Sequence, residues 1–108
     1  MLNKRKFYIN GQWVDPIKPY DCNVINPSTE ENCAVISIGS KEDVNIAVKS
    51  AKDAFNDWAF TSKEEKIKLL ETLYSNYKKR WADFANAITM EMGAPKDFAT
   101  KLQAGTGA

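Results

Sequence analysis

Asn32-Cys33-Ala34-Val35-Ile36-Ser37-Ile38-Gly39-Ser40-Lys41-Glu42-Asp43-Val44 changes its hydrophobic period partway along. Up to Ile38 the period is two: Ala34, Ile36 and Ile38 share one face, and Cys33, Val35 and Ser37 the other. Both faces are largely apolar, which predicts a strand covered on both sides, or covered on one with the other left for a partner. Gly39-Ser40 ends the extended pattern. Ser40 supplies a hydroxyl cap, and Glu42 and Asp43 place acids in the first turn, where they suit the helix dipole. From Val44 onward the apolar residues recur at helical spacing. The chain therefore reads as strands first and helices afterwards.

Toward the N-terminus, residues 6–14 place aromatic and branched residues on both sides of Asn10-Gly11. Asn-Gly is a strong hairpin signal, because both turn residues must accept a positive φ. Pro16 and Pro19 interrupt regular structure. Residues 22–26 then lead up, Pro27-Ser28-Thr29-Glu30-Glu31 turns, and residues 32–38 lead back. Toward the C-terminus, Val44, Ala47, Val48, Ala51 and Phe55 form a helical stripe that Ala54 and Trp58 widen. Ser62-Lys63-Glu64-Glu65 is a capping box opening a second helix, whose face carries Ile67, Leu70, Leu73, Tyr74, Tyr77 and Trp81. The phase then shifts to Phe84, Ala85, Ile88 and Met92, closed by Gly93 and Pro95. Residues 96–104 begin a further helix with Phe98 and Leu102 on one side. The pattern stops just as that helix starts, so the chain is expected to be cut from a longer one.

The chain has 108 residues, 44% hydrophobic and 27% charged, with a formal net charge of +1. That balance excludes a highly charged disordered tail and gives no cationic excess for a nucleic-acid binder. No apolar run approaches the roughly 18 residues that span a bilayer, and Phe7-Tyr8-Ile9 is too short for a signal-peptide core. A cytoplasmic location is expected, with neither nucleic acid nor membrane as partner. With no histidine, Ser-His-Asp hydrolysis, a Cys-His pair and imidazole-ligated zinc are absent from the chain. Cys22 and Cys33 could face each other across a hairpin and form one disulfide, but in the expected compartment they read as half-buried free thiols in strands, with no base, cation or helix N-terminus close in sequence to activate either. Gly105-Thr106-Gly107 lacks a preceding strand and reads as a loop or helix end rather than a phosphate cradle. Lys63-Glu64-Glu65-Lys66 and Tyr77-Lys78-Lys79-Arg80 read as solvated helix faces. Trp58, Trp81, Tyr74 and Tyr77 fall on the aliphatic stripes and read as packing. Glu91, between Met90 and Met92, reads as a solvated carboxylate or as a partly buried acid in need of a cation or donor.

Residues 7–14 and Val24-Ile25-Asn26-Pro27-Ser28-Thr29-Glu30-Glu31 resemble the opening of the aldehyde dehydrogenase superfamily. The capped helix through Asp43-Val44, Ala47-Val48 and Ala51-Ala54-Phe55 is similar to that family's first helix. Trp58 and Glu91-Met92-Gly93-Ala94-Pro95 match in order and spacing. The resemblance covers residues 6–108. It implies an α/β family fold of which this chain, residues 1–108, is an incomplete part of the cofactor-binding domain: two N-terminal β-hairpins within 6–39, then three to four amphipathic helices over 40–104, with the catalytic domain absent.

The resemblance implies an NAD- or NADP-dependent enzyme that oxidises an aldehyde to a carboxylic acid through a cysteine thioester, released by a glutamate-activated water. The family's nucleophile, base, oxyanion donor and cofactor strands lie C-terminal to the matched region, so no catalytic or cofactor-binding residue is carried over. The chain alone is expected to be inactive and to bind no cofactor, with the rest of the dehydrogenase as its partner and a homo-oligomer as the complete form. The resemblance also implies a monovalent cation held by Val24 and Ile25 carbonyls and the Glu91 carboxylate, with a further ligand from later chain. Glu30 stands where the common family turn has glycine, so either the turn differs or a left-handed residue is tolerated at roughly 1 kcal/mol. A chain this size buries about 65% of its surface when optimally folded. Less is expected here, with exposed apolar patches that favour association. The alternative is a stand-alone interaction module using the same fold piece, which would behave as a monomer with a sharp cooperative melt.

Overall fold

Asn10 and Gly11 take positive φ values of 52° and 74°. They close an antiparallel hairpin of β2 (Phe7–Ile9) and β3 (Gln12–Val14), in register Phe7 to Val14 and Ile9 to Gln12. The computed structural model describes residues 1–107; Ala108, the last residue of the expected helix end, lies outside the described residues. These fall into two compact units, Met1–Val24 with Asn32–Thr61, and Ile25–Glu31 with the residues from Ser62 onward. Among the described residues no helix is long and apolar enough to cross a membrane.

In the first unit, β4 (Asp21–Ile25, whose last residue belongs to the second unit) and β5 (Asn32–Ser37) are neighbours, as the second expected hairpin requires. A strand outside the expected region joins them. β1 (Leu2–Lys4) pairs parallel to β5, Leu2 with Ala34 and Lys4 with Ile36, in the order β1-β5-β4. Both expected strand pairs are therefore present among the described residues, and β1 widens the second into a three-stranded sheet. β1 is wholly exposed and carries no alternation to mark it. Arg5 clips Asp21 bidentately, Nε to Oδ1 at 2.8 Å and the terminal nitrogen to Oδ2 at 2.7 Å. That hydrogen bonding holds the Asp21 carboxyl below its ordinary range. On β5, Val35 and Ser37 are buried and Cys33 half-buried on one face. On the other face Ala34 is buried while Ile36 and Ile38 are exposed. One face is covered along the strand, the other only at Ala34.

Helix α1 (Lys41–Ala59) starts at Ser40 through a reciprocal cap. Ser40 Oγ accepts from the Asp43 N–H at 3.2 Å, and Asp43 Oδ2 accepts from the Ser40 N–H at 2.8 Å and the Ser40 hydroxyl at 2.7 Å. Asp43 is buried, and its Oδ1 also accepts from the Ile17 N–H at 3.0 Å. That bond ties the proline-containing loop to the start of the helix.

In the second unit, α2 (Lys63–Lys79) opens on the expected capping box, Ser62 with Glu65. The helical stripe breaks at Arg80, where the phase shifts, and α3 (Trp81–Met92) follows. Gly93 ends α3 in a left-handed conformation, φ 75°. A Cβ at Gly93 would lie 2.8 Å from Pro27 Cγ, so the residue 25–31 turn packs closely on this helix end. The last segment is α4 (Lys96–Phe98), a π-helical turn Ala99–Gln103 and a 3₁₀ turn Ala104–Gly107. The core of this unit is Ala85, Ala94, Ala99 and Ala104, with Trp81 and Ile88 packed against it.

Glu30 sits at φ 58°. The turn therefore keeps a left-handed residue, and a side chain occupies it. Glu30→Gly is expected to stabilise the turn by about 0.5–1 kcal/mol: relief of the left-handed penalty outweighs the extra freedom of the unfolded chain. Slower amide exchange at Asn26 and Glu30, whose N–H groups bond to Glu31 and Asn26 carbonyls, would register it.

Candidate functional site

Helix N-termini are the usual places for an anion or a cofactor phosphate. Here both long helices close theirs with their own side chains, Asp43 on Ser40 in α1 and Glu65 on Ser62 in α2. The Ile17 N–H, the Ser40 hydroxyl and the Ser40 N–H hold the Asp43 carboxyl below its ordinary range, and burial opposes them more weakly. A carboxylate with a lowered pKa stabilises the fold above its unfolded value and loses that contribution as pH falls through the lowered one. Acid titration of the far-UV helical signal should therefore show a loss beginning below about pH 4. The Asp43→Asn chain should start with less helix and lose less of it across the same interval. Identical titration curves would remove Asp43 from this role.

The glycines Gly105 and Gly107 do not form a phosphate cradle. They lie in the terminal 3₁₀ turn, and a Cβ on Gly107 would come 2.5 Å from Tyr77 Oη, so the space at that glycine is filled by the tyrosine. Both cysteines are free. Cys33 Sγ donates to the Val24 carbonyl at 3.2 Å and Cys22 Sγ to the Asn23 carbonyl at 3.8 Å. Both thiols lie on strands, and each has a backbone carbonyl as its hydrogen-bond partner.

Of the residues expected to hold a cation, Val24 belongs to the first unit and Ile25 and Glu91 to the second. The Val24 carbonyl already accepts the Cys33 thiol, and Ile25 is exposed. Glu91 is exposed on the last turn of α3, which is the solvated reading, and has no ion-pair partner among the described residues. No group of three or more histidine, cysteine, aspartate or glutamate side chains among the described residues could hold a metal.

What the chain does present is apolar surface. On α1, Val44, Val48 and Phe55 lie on one stripe and are 55%, 61% and 63% exposed. Trp58 at the same end is also exposed. Phe7 and Ile9 of the hairpin, with Val44 and Ala47, line a shallow hollow beside the helix start, which covers only its first turns. In the second unit, Leu69, Leu70, Leu73 and Tyr74 are exposed on α2, while Tyr77 is half-buried. The expected stripes are where the sequence places them, but largely uncovered. An amphipathic stripe that stays in water has chemistry for one task, packing against a further apolar surface.

The profile of the aldehyde dehydrogenase family matches residues 13–107. An aldehyde dehydrogenase from Bartonella henselae is 54% identical and superposes with a TM-score of 0.97, over 99% of this chain and 22% of that one. Aldehyde dehydrogenase C from Pseudomonas syringae, solved with NAD+ and octanal, is 38% identical with a TM-score of 0.91, over 94% of this chain and 21% of that one. A 3-succinoylsemialdehyde-pyridine dehydrogenase from a Pseudomonas species is 44% identical over 99% of this chain and 23% of its own length. The chain thus spans less than a quarter of the length of the relatives it matches.

Proposed function

The chain belongs to the aldehyde dehydrogenase family, an oxidoreductase family, and from this we propose that it is the N-terminal scaffold segment of an NAD(P)-dependent enzyme that oxidises an aldehyde to a carboxylic acid through a cysteine thioester. The cofactor, bound by the complete enzyme, would supply the hydride acceptor for that oxidation. The nucleophile, the base and the cofactor pocket are assigned to further chain. The part played by this segment is to present helix faces and strand edges to that chain. The carrying observation is the α1 stripe of Val44, Val48 and Phe55, left open in a segment that superposes on dehydrogenases several times longer. Cytoplasmic residence, homo-oligomerisation of the complete enzyme and a monovalent cation at Val24, Ile25 and Glu91 belong to the same proposal.

The test is complementation. The chain is mixed with the Bartonella henselae dehydrogenase from which the matched segment has been removed. NADH formation from an aldehyde and NAD+ is expected in the mixture and in neither component alone. Turnover by this chain alone would overturn the assignment. So would a mixture that stays inactive while the chain behaves as a monomer with a sharp melt, which is the behaviour of a self-contained interaction module.

A further inference from the structure

Residues 96–107 change winding twice, from α to π to 3₁₀, and their own large apolar side chains do not account for it. Phe98 and Leu102 are exposed, and the buried contacts of the segment are the methyl groups of Ala99 and Ala104. Two aromatic side chains from outside the segment reach its backbone. Trp81 Nε1 donates to the Thr100 carbonyl at 2.8 Å, inside the π turn. Tyr77 Oη donates to the Ala104 carbonyl at 2.7 Å, where the π turn gives way to the 3₁₀ turn. The donors flank the Arg80 break, Tyr77 near the end of α2 and Trp81 at the start of α3. Their rings meet edge-on at 5.9 Å, and Tyr77 also stacks on Phe84 at 4.5 Å. A third tie, Gln103 Nε2 to Met92 Sδ at 3.3 Å, uses a weak acceptor. A π turn is uncommon, and here two donors from outside the segment bond to its carbonyls.

We propose that Tyr77 and Trp81 are positioning residues forming a two-pronged latch, which holds residues 99–107 in their wound form and so sets the direction of the backbone at residue 107. The latch can release without unfolding α3, because its hydrogen bonds lie outside the helix's own ladder. This inference does not depend on the dehydrogenase reading, and complementation does not test it.

Amide exchange in the 108-residue chain does. Tyr77→Phe and Trp81→Phe keep a ring and remove the donor. Each is expected to speed exchange at residues 103–107 about tenfold, equivalent to roughly 1.4 kcal/mol, with residues 85–92 of α3 unchanged. Gly107→Ala attacks the same bond from the other side, since its Cβ would displace the Tyr77 hydroxyl, and should give the same local signature. Equal acceleration in α3 would overturn the latch, because the aromatics would then be ordinary packing. Unchanged exchange at residues 103–107 in all three variants, or a parent chain whose residues 103–107 have no protection, would overturn it too.

Discussion

Ala99→Asp is expected to open the second unit by at least about 3 kcal/mol. Ala99 is fully buried and sits among Ala85, Ala94, Ala104, Trp81 and Ile88. A carboxylate there leaves water for a surrounding of methyl groups and rings, with no cation in that cluster to offset its desolvation. Either the group takes up a proton or the segment 96–107 lifts off α3. Both outcomes appear as faster amide exchange across residues 85–107, much larger than the local change from removing one latch donor. Ala99→Gly isolates the loss of the methyl and helix propensity and should cost about 1 kcal/mol. An Ala99→Asp chain with protection within a few tenths of a kcal/mol of the parent would mean that the alanine cluster is not the core of this unit.

Gly93→Ala should cost roughly 2–4 kcal/mol, from two sources. At φ 75° an added Cβ carries the left-handed penalty, about 1 kcal/mol. It would also lie 2.8 Å from Pro27 Cγ, so the pyrrolidine ring or the helix end must move. The second source can be separated from the first. Pro27→Ala removes the ring carbon that the new methyl meets, so the double variant should recover the steric part and leave the backbone part. Coupling of about 1 kcal/mol or more between the two positions is the expected reading of the cycle. Strict additivity would show that the turn yields freely and that only the backbone matters at residue 93.

Both sites connect to what could be read in advance. The Asn10-Gly11 hairpin, the Ser40 and Ser62 caps and the Gly93 stop were legible because each is fixed by residues within a few positions of one another. The stripes on α1 and α2 were legible for the same reason, as was the expectation that they would be uncovered. What escaped depends on distance along the chain. β1 pairs with β5, thirty-two residues away in register, and its Leu-Asn-Lys has no alternation to announce it. Asp43 was expected to favour the helix dipole, but its bond to the Ile17 N–H joins positions 26 apart. The winding of residues 99–107 is set by donors at Tyr77 and Trp81, which the sequence pattern marks only as members of an apolar stripe. For the family, the motifs were enough.

Val35 is the one large side chain among the described residues that is almost wholly shielded from water. Positions tolerant and intolerant of change will therefore sort differently in two screens. Scored on helicity or protease resistance of the isolated polypeptide, Val48, Phe55 and Leu70 should look dispensable, since replacing them by glutamine removes little that the segment itself conceals. Scored on recovery of enzyme with the complementary chain, those same replacements should be among the most damaging, and the disagreement between the two maps would outline the buried seam residue by residue.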